Sequence, residues 1–275
     1  MNKPGYNKIT VDGLEFAYYH EGKGEIIVML HGITTNSFIW RNIIPYFTDS
    51  YEVIVPDLLG CGQSSKRLDA DYSIKNQAEL MVKLIKKLKL PKVHLVCHDI
   101  GGGIGQIIAV RHPEILIDLS LINSVAYDYW PVQPINTLRT PIIRQIAMAT
   151  IDMGMLRLSI RAGLHYKDRL TPELFALFEE QMENKASRKA FLHLAKSLNN
   201  KDLLEISDKL TQLSLPVLII RGEADVFLNK GIAFKLHKNI PGSQLQLIET
   251  AGHFAQIDEP EKISNFILQF FEKYQ

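Results

Sequence analysis

The stretch that most constrains this chain is residues 93–103, with the sequence VHLVCHDIGGG. Its apolar, β-branched first half predicts a buried strand that ends at Asp99. Gly101, Gly102 and Gly103 follow, and apolar residues then recur at helical spacing. A strand that becomes a helix within two residues strains the residue at its tip and requires small neighbours where the two arms meet. This is the pattern of a nucleophile elbow, which normally reads G-x-S-x-G. Here the residue at the tip is a carboxylate.

The composition is that of an ordinary globular chain. A length of 275 residues, 46% of them hydrophobic, fits one α/β domain with an insertion. With 31 basic and 30 acidic residues, the chain has no net charge that would attract nucleic acid or an anionic membrane, so neither is expected as a partner. The polar residues 1–10 show no signal peptide, and no apolar run has the length of a membrane span. We therefore expect a cytoplasmic protein, and the histidine spacings predict no metal site.

Hydrophobic periodicity predicts strands that alternate with helices. The predicted strands are residues 8–11, 14–20, 25–30, 51–56, 93–99, 117–122, 217–221 and 244–248. Asp12-Gly13 is a tight-turn dipeptide between the first two strands, and Ser73 is the predicted N-cap of an amphipathic helix. This alternation predicts an α/β fold, with a mostly parallel sheet covered by helices on both faces.

The alternation is interrupted in the middle of the chain. Residues 127–213 read as helices without strands and are rich in methionine and aromatic residues. Helices are predicted at residues 142–153, 172–184 and 188–198. We interpret residues 127–213 as a helical cap, inserted into a core domain formed by residues 1–126 and 214–275.

Candidate catalytic residues follow the predicted strands, where ligand sites of α/β sheets gather. Asp99, Asp225 and His253 occur in the chain order nucleophile, acid, histidine. By their spacing, the backbone N–H groups of Ile33 and Ile100 would form an oxyanion hole. Asp128, which follows the preceding strand, is the alternative acid.

Several motifs outside the cap together resemble one family. They are His31-Gly32, residues 57–64 (DLLGCGQS), residues 98–102 (HDIGG), residues 221–225 (RGEAD) and residues 252–254 (GHF). The chain resembles the α/β-hydrolase superfamily, in particular its haloalkane dehalogenase and epoxide hydrolase branch. The resemblance implies a mostly parallel eight-stranded sheet flanked by helices, an inserted helical cap, no cofactor, and a small-molecule substrate that reacts with water.

The carboxylate at the tip determines the predicted chemistry. Attack by Asp99 on an acyl carbon would give a high-energy anhydride, whereas displacement at a saturated carbon gives an alkyl ester. Water activated by His253 could then hydrolyse that ester, with Asp225 orienting the imidazole. The predicted reaction is therefore the opening of an epoxide or the cleavage of a carbon–halogen bond.

The choice between these two reactions depends on the leaving group. Dehalogenases of this branch hold halide with an Asn after His-Gly and a Trp after the nucleophile, and this chain has Ile33 and Ile100 at those positions. Epoxide opening is therefore favoured, and the resemblance implies that cap tyrosines protonate the ring oxygen. The candidate cap acids or substrate contacts are Tyr127, Tyr129, Trp130 and Tyr166.

Two other functions fit the same residues. In one, Asp99 acts as a base or electrostatic partner in an ester, lactone or carbon–carbon bond hydrolase. In the other, the fold is a non-catalytic receptor for a small molecule. The substrate and the oligomeric state do not follow from the sequence.

Overall fold

The computed structural model describes residues 6–132, 135–138 and 153–274. Its strands are β1 (Tyr6–Val11), β2 (Leu14–Gly22), β3 (Glu25–Leu30), β4 (Tyr51–Pro56), β5 (Val93–Asp99), β6 (Leu116–Ser124), β7 (Val217–Gly222) and β8 (Gln244–Ile248). Its α-helices are α1 (Ile74–Lys87), α2 (Ile100–Arg111), α3 (Ile135–Leu138), α4 (Met153–Gly163), α5 (Pro172–Glu179), α6 (Lys185–Ser197), α7 (Lys201–Leu204), α8 (Gly231–Asn239), α9 (Ala255–Asp258) and α10 (Pro260–Lys273). Short 3-10 helices span Ser37–Trp40, Ile44–Tyr46, Pro113–Ile115, Lys167–Arg169, Glu180–Met182 and Lys209–Gln212.

The eight strands form one sheet in the order β1-β2-β4-β3-β5-β6-β7-β8. The pairs β1/β2 and β2/β4 are antiparallel, and every other pair is parallel. Asp12 and Gly13 both have positive φ, as a tight hairpin turn requires, and the Ser73 side chain accepts the N–H of Asn76 at the start of α1. The predicted α/β architecture, with a mostly parallel sheet of eight strands, is confirmed.

Hydrophobic cores lie on both faces of the sheet. On one face, α1, α2 and α8 pack against inward residues of the strands, among them Leu95 and Cys97 of β5. On the other face, α10 and the 3-10 helix at Ser37–Trp40 pack against residues that include Val96. Every residue of β5 is buried, because both of its faces and both of its edges are covered. The central strand is therefore a rigid support for its last residue, Asp99.

The described chain between β6 and β7 contains helices and no strand. The predicted helix at residues 142–153 lies outside the described residues except for its last position. The helix predicted at residues 172–184 is observed as α5 followed by a 3-10 turn, and the helix predicted at residues 188–198 is observed as α6. In the part of the chain that the structure describes, no helix combines the length and apolar character needed to cross a bilayer.

Candidate active site

The predicted site residues meet at the carboxyl edge of the sheet. Asp99 is the last residue of β5, and Ile33 lies three positions beyond the end of β3. Asp225 follows β7, and His253 follows β8. The carboxyl ends of parallel strands form the edge at which ligands bind in open α/β sheets. The structure thus brings together residues that are far apart in the sequence.

These residues line a cavity of about 520 Å³, counting the open space at its mouth. The strand side contributes Ile33, Thr34, Asp99, Phe227, Leu228, His253 and Phe254, and the helical side contributes Val132, Ile135, Leu156, Ser159 and Ile160. The cavity is thus enclosed between the sheet edge and the helical segment, and most of its described wall is apolar. Among the described residues, no cluster of three or more His, Cys, Asp or Glu side chains could hold a metal ion.

Asp99 has the strained backbone expected at the tip of an elbow. Its φ is 51° and its ψ is −118°, a combination that is rare for any residue other than glycine. Such a conformation costs about 1–3 kcal/mol and persists only where the surroundings enforce it. Here the last residues of β3 lie directly against Gly101, the second residue of α2. A Cβ atom added at Gly101 would lie 2.6 Å from the carbonyl oxygens of both Leu30 and His31.

We expect the substitution Gly101→Ala to destabilise the protein by about 1–3 kcal/mol, because backbone carbonyls cannot move aside as side chains can. The loop that carries Ile33 should shift with them, and activity should fall as well. Chemical denaturation measures the loss of stability. Gly231→Ala is the matched control, since its Cβ would approach only the Asn229 side chain, and this variant should be close to wild type in stability. Equal stability of the two variants would contradict this reading of the elbow.

The Asp99 carboxylate is buried and bound to backbone N–H groups. Its Oδ2 accepts the N–H of Ile33 at 2.9 Å, and the N–H of Ile100 also hydrogen-bonds to the carboxylate. Burial is the largest influence and raises the pKa of Asp99, while the charge of His253 and these two N–H groups lower it in part. The result is a carboxylate more basic than an exposed aspartate, with one of its oxygens in the predicted oxyanion hole.

His253 is held by the carboxylate of Asp225. The distance from His253 Nδ1 to Asp225 Oδ2 is 3.1 Å, and among the described residues His253 Nε2 has no hydrogen-bond partner. Burial opposes the positive charge of His253, but the charge and hydrogen bond of Asp225, together with the charge of Asp99, raise its pKa above the ordinary value. The alternative acid, Asp128, is exposed to solvent. The carboxylate that contacts the imidazole is that of Asp225.

Asp225 is itself fixed by four further hydrogen bonds. Arg221 Nη1 donates to its Oδ2 at 2.9 Å, and Nη2 donates to its carbonyl at 3.2 Å. The N–H groups of Phe227 and Leu228 donate to Oδ1 at 2.8 and 3.1 Å. Burial by itself would raise the pKa of Asp225, but the charge and hydrogen bond of His253, then Arg221, lower it to about 2. Asp225 is therefore ionised across the physiological pH range.

Two buried side chains that sequence reasoning did not assign to the site hold the backbone at His253. Asn123 Nδ2 donates to the carbonyls of Gly252 and His253 at 2.9 and 3.0 Å, and its Oδ1 accepts the N–H of Gly222 at 2.9 Å. His98 Nε2 lies 2.9 Å from the same His253 carbonyl. Burial, and then the charge of His253, lower the pKa of His98 to about 3, so His98 is a neutral donor. The position of Asn123 at the end of β6 is the signal that could have identified it.

A third buried group, Asp258, connects the histidine loop to the helical segment. Asp258 Oδ2 accepts the N–H groups of Gly252 and His165, each at 2.8 Å, and Oδ1 accepts the N–H of Tyr166 at 3.0 Å. The Phe254 N–H also donates to the carbonyl of Gly163, the last residue of α4. Three hydrogen bonds that involve residues 163–166, together with the bond from Gly252 to Asp258, therefore link the C-terminal end of α4 to the loop that carries His253. No periodicity in the sequence indicates this role for Asp258.

The structure does not bring the four candidate cap residues to the cavity. The Tyr127 hydroxyl bonds to Asn239 Nδ2 and the Lys235 carbonyl, and the Tyr166 hydroxyl lies 3.4 Å from Glu259. The buried indole N–H of Trp130 donates to the Tyr127 carbonyl, while the half-exposed Tyr129 packs near the Lys235 ammonium. All ten tyrosines and both tryptophans of the chain fall within the described residues, and none of them lines the cavity.

Comparison with known proteins agrees with this geometry. The sequence model of a family described as "alpha/beta hydrolase fold" matches residues 25–260. An uncharacterized protein of Mycobacterium tuberculosis is 30% identical over 281 residues, which cover 96% of this chain and 80% of that protein. A cis-3-alkyl-4-alkyloxetan-2-one decarboxylase of Shewanella oneidensis is 27% identical over 276 residues, which cover 95% of this chain and 86% of that protein.

Solved structures include close matches to the fold. The haloalkane dehalogenase DbeA of Bradyrhizobium elkani superposes with a TM-score of 0.87 at 24% identity, covering 98% of each chain. At this identity the likeness establishes the shared fold and leaves the reaction to be argued from the site.

Proposed function

Because the chain belongs to the α/β-hydrolase family, we propose that it is a hydrolase whose nucleophile is the carboxylate of Asp99. The observation that carries this proposal is the contact between Asp99 Oδ2 and the Ile33 N–H, at the strained tip of β5 and in the same cavity as His253. We further propose that residues 127–213 act as the cap of the site. Five of the described residues within this range line the cavity.

In the first step, the other oxygen of Asp99, Oδ1, attacks a saturated carbon of the substrate. The new bond forms as the bond to the leaving atom breaks, and the leaving atom takes the electron pair. This displacement needs no base because the attacking group reacts as a carboxylate. Its product is an alkyl ester on Asp99.

In the second step, water attacks the carbonyl carbon of that ester. His253 Nε2 takes a proton from the water, and Asp225 stabilises the imidazolium that forms. Negative charge develops on Asp99 Oδ2, which already accepts the N–H of Ile33, and the N–H of Ile100 also hydrogen-bonds to the carboxyl group. When the tetrahedral intermediate collapses, the product alcohol receives the proton from His253. The second proton of the water, which is left on the Asp99 carboxyl group, is released to solvent, and the carboxylate is restored.

The leaving group is argued from the placement of the tyrosines. Epoxide opening produces a basic alkoxide that requires an acid, and no tyrosine lines the cavity. The sequence analysis favoured epoxide opening. We now propose instead that a substrate with a leaving group of low basicity, such as halide, is preferred over an epoxide.

A strained lactone is the second candidate, because a relative that matches 95% of the chain is a decarboxylase of oxetan-2-ones. Attack at the alkyl carbon of such a ring expels a carboxylate, which needs no proton.

A single turnover in heavy-oxygen water tests the nucleophile. The enzyme, in excess, is mixed with 1-bromohexane, with 1,2-epoxyhexane or with a 4-alkyloxetan-2-one, and the peptide containing Asp99 is analysed by mass spectrometry. We expect label in the Asp99 carboxylate and unlabelled oxygen in the first alcohol formed. Confirmed turnover with an unlabelled carboxylate would indicate that Asp99 acts as a base. Binding of all three compounds without any product would instead support a receptor.

A further inference from the structure

Thr34 combines an unusual backbone conformation with a position next to the reacting atoms. Its φ is 63°, in the left-handed region that β-branched residues rarely adopt. It directly follows Ile33, whose N–H contacts Asp99, and it lines the cavity. Backbone strain of this kind is concentrated at functional sites. A threonine at this position therefore suggests a role for its side chain.

A second hydroxyl residue lines the same cavity as Thr34. Ser159 lies on α4 and lines the same cavity from the helical side. Within the described residues, neither hydroxyl makes a hydrogen bond, although a serine inside a helix often bonds to the carbonyl one turn earlier. The neighbouring Thr35, by contrast, donates its hydroxyl to the Gly32 carbonyl at 3.0 Å. Thr34 and Ser159 thus retain donors that are available to a bound molecule.

These two residues carry the hydroxyls of the described cavity wall. Of the twelve described residues that line the cavity, eight are apolar and the other four are Asp99, His253, Thr34 and Ser159. Negative charge that develops on a leaving atom inside an apolar cavity requires hydrogen-bond donors. On the proposed function, Asp99 is the nucleophile and His253 activates the water. Among the described lining residues, the two hydroxyls are then the donors that remain for the leaving group.

We propose that Thr34 and Ser159 form the leaving-group subsite, and that this subsite selects substrates with weakly basic leaving groups, namely halides and ring-opened carboxylates. This inference rests on the proposed function of Asp99. Aliphatic hydroxyls are much weaker acids than tyrosine, whose pKa is about 10. They donate hydrogen bonds without releasing the proton. As Asp99 Oδ1 bonds to carbon, the leaving atom departs with the electron pair. The two hydroxyls donate hydrogen bonds to it, and no proton is transferred.

The alkylation step alone is the proper test. In a His253→Gln background, which retains the nucleophile and lacks the base, adduct formation on Asp99 is followed by intact-protein mass spectrometry. The variants Thr34→Val and Ser159→Ala remove one hydroxyl each, while Thr34→Ser and Ser159→Thr retain it. The probes are 1-chlorohexane, 1-bromohexane, a 4-alkyloxetan-2-one and 1,2-epoxyhexane.

We expect each hydroxyl deletion to slow alkylation about tenfold, the net worth of one hydrogen bond. The loss should be larger for the chloride than for the bromide, because the chloride bears more charge per unit of surface. The serine and threonine variants, which retain the hydroxyl, should lose much less of the alkylation rate than the deletion variants, and the epoxide should react most slowly. Unchanged rates for both deletion variants, or an epoxide that reacts faster than the halides, would overturn the subsite. A parent that forms no Asp99 adduct with any probe would instead refute the proposed function, and the subsite with it.

Discussion

The variant His253→Gln is expected to stop after one alkylation and to accumulate a covalent adduct on Asp99. Displacement by the carboxylate needs no proton transfer, whereas hydrolysis of the ester needs a base for water. Glutamine fills a similar volume but has no basic nitrogen, so turnover should fall by about 10⁴-fold or more. Intact mass spectrometry should then show the mass of the substrate alkyl group added to the protein, and peptide mapping should assign that mass to Asp99.

Two controls make this result specific. The double variant Asp99→Asn/His253→Gln should form no adduct, because an amide oxygen is a poor nucleophile. His237→Gln changes a histidine of α8 that does not line the cavity, and should turn over as the wild type does. Complete product formation by His253→Gln at the wild-type rate would remove His253 from the mechanism.

The variant Asp225→Asn is expected to reduce both the hydrolysis rate and the stability. An asparagine cannot stabilise the imidazolium and permits the wrong tautomer of His253, which should slow hydrolysis by about 10⁴-fold. The change also leaves the buried Arg221 guanidinium without its carboxylate, a loss on the order of 3 kcal/mol in the free energy of unfolding. Single-turnover hydrolysis of the ester and chemical denaturation measure the two effects.

The pH dependence distinguishes an electrostatic role of Asp225 from a purely structural one. Hydrolysis requires neutral His253, so its rate falls as the pH drops below the pKa of the imidazole. In the wild type, Asp225 raises that pKa, so the hydrolysis rate should begin to fall at a pH above about 6.5, the ordinary pKa of a histidine. In Asp225→Asn this fall should begin at a lower pH. Asp128→Asn, which changes the exposed alternative acid, should leave the hydrolysis rate, its pH dependence and the stability unchanged. If Asp128→Asn had these effects and Asp225→Asn did not, Asp128 would be the acid that acts with His253.

The sheet and its edge were predictable because the signals are local. The apolar run of β5 stops at Asp99 and glycines follow, and each strand of a parallel sheet ends at the same edge. The positions of Asp225 and His253 followed from the ends of β7 and β8 by the same reasoning. The ends of the strands could be predicted from periodicity, and the main candidate residues of the site were identified from those ends.

The direction of the cap aromatics could not be predicted because it depends on distant partners. Tyr127 is drawn to α8 by Asn239 and Lys235, more than 100 residues away in the sequence. The position of Asn123 at the end of β6 was a usable signal, but its role could not be predicted from it, since its amide satisfies backbone groups of two other segments that are adjacent only after folding. Arg221 offered a better signal, because a cation that interrupts a buried apolar strand implies a nearby carboxylate.

The carboxylate of Asp258 has a consequence for how the substrate range of this chain could change. It accepts backbone N–H groups both from residues 165–166, which follow α4, and from the loop that carries His253, so these two segments are held together. A substitution that displaced residues 163–166 would also displace His253, which on the proposed mechanism must stay close to the ester on Asp99. Substitutions that alter the substrate range without moving His253 are therefore expected at cavity positions that precede residues 163–166, such as Val132 and Leu156. The hydrogen bonds of Asp258 would keep His253 in place in such variants.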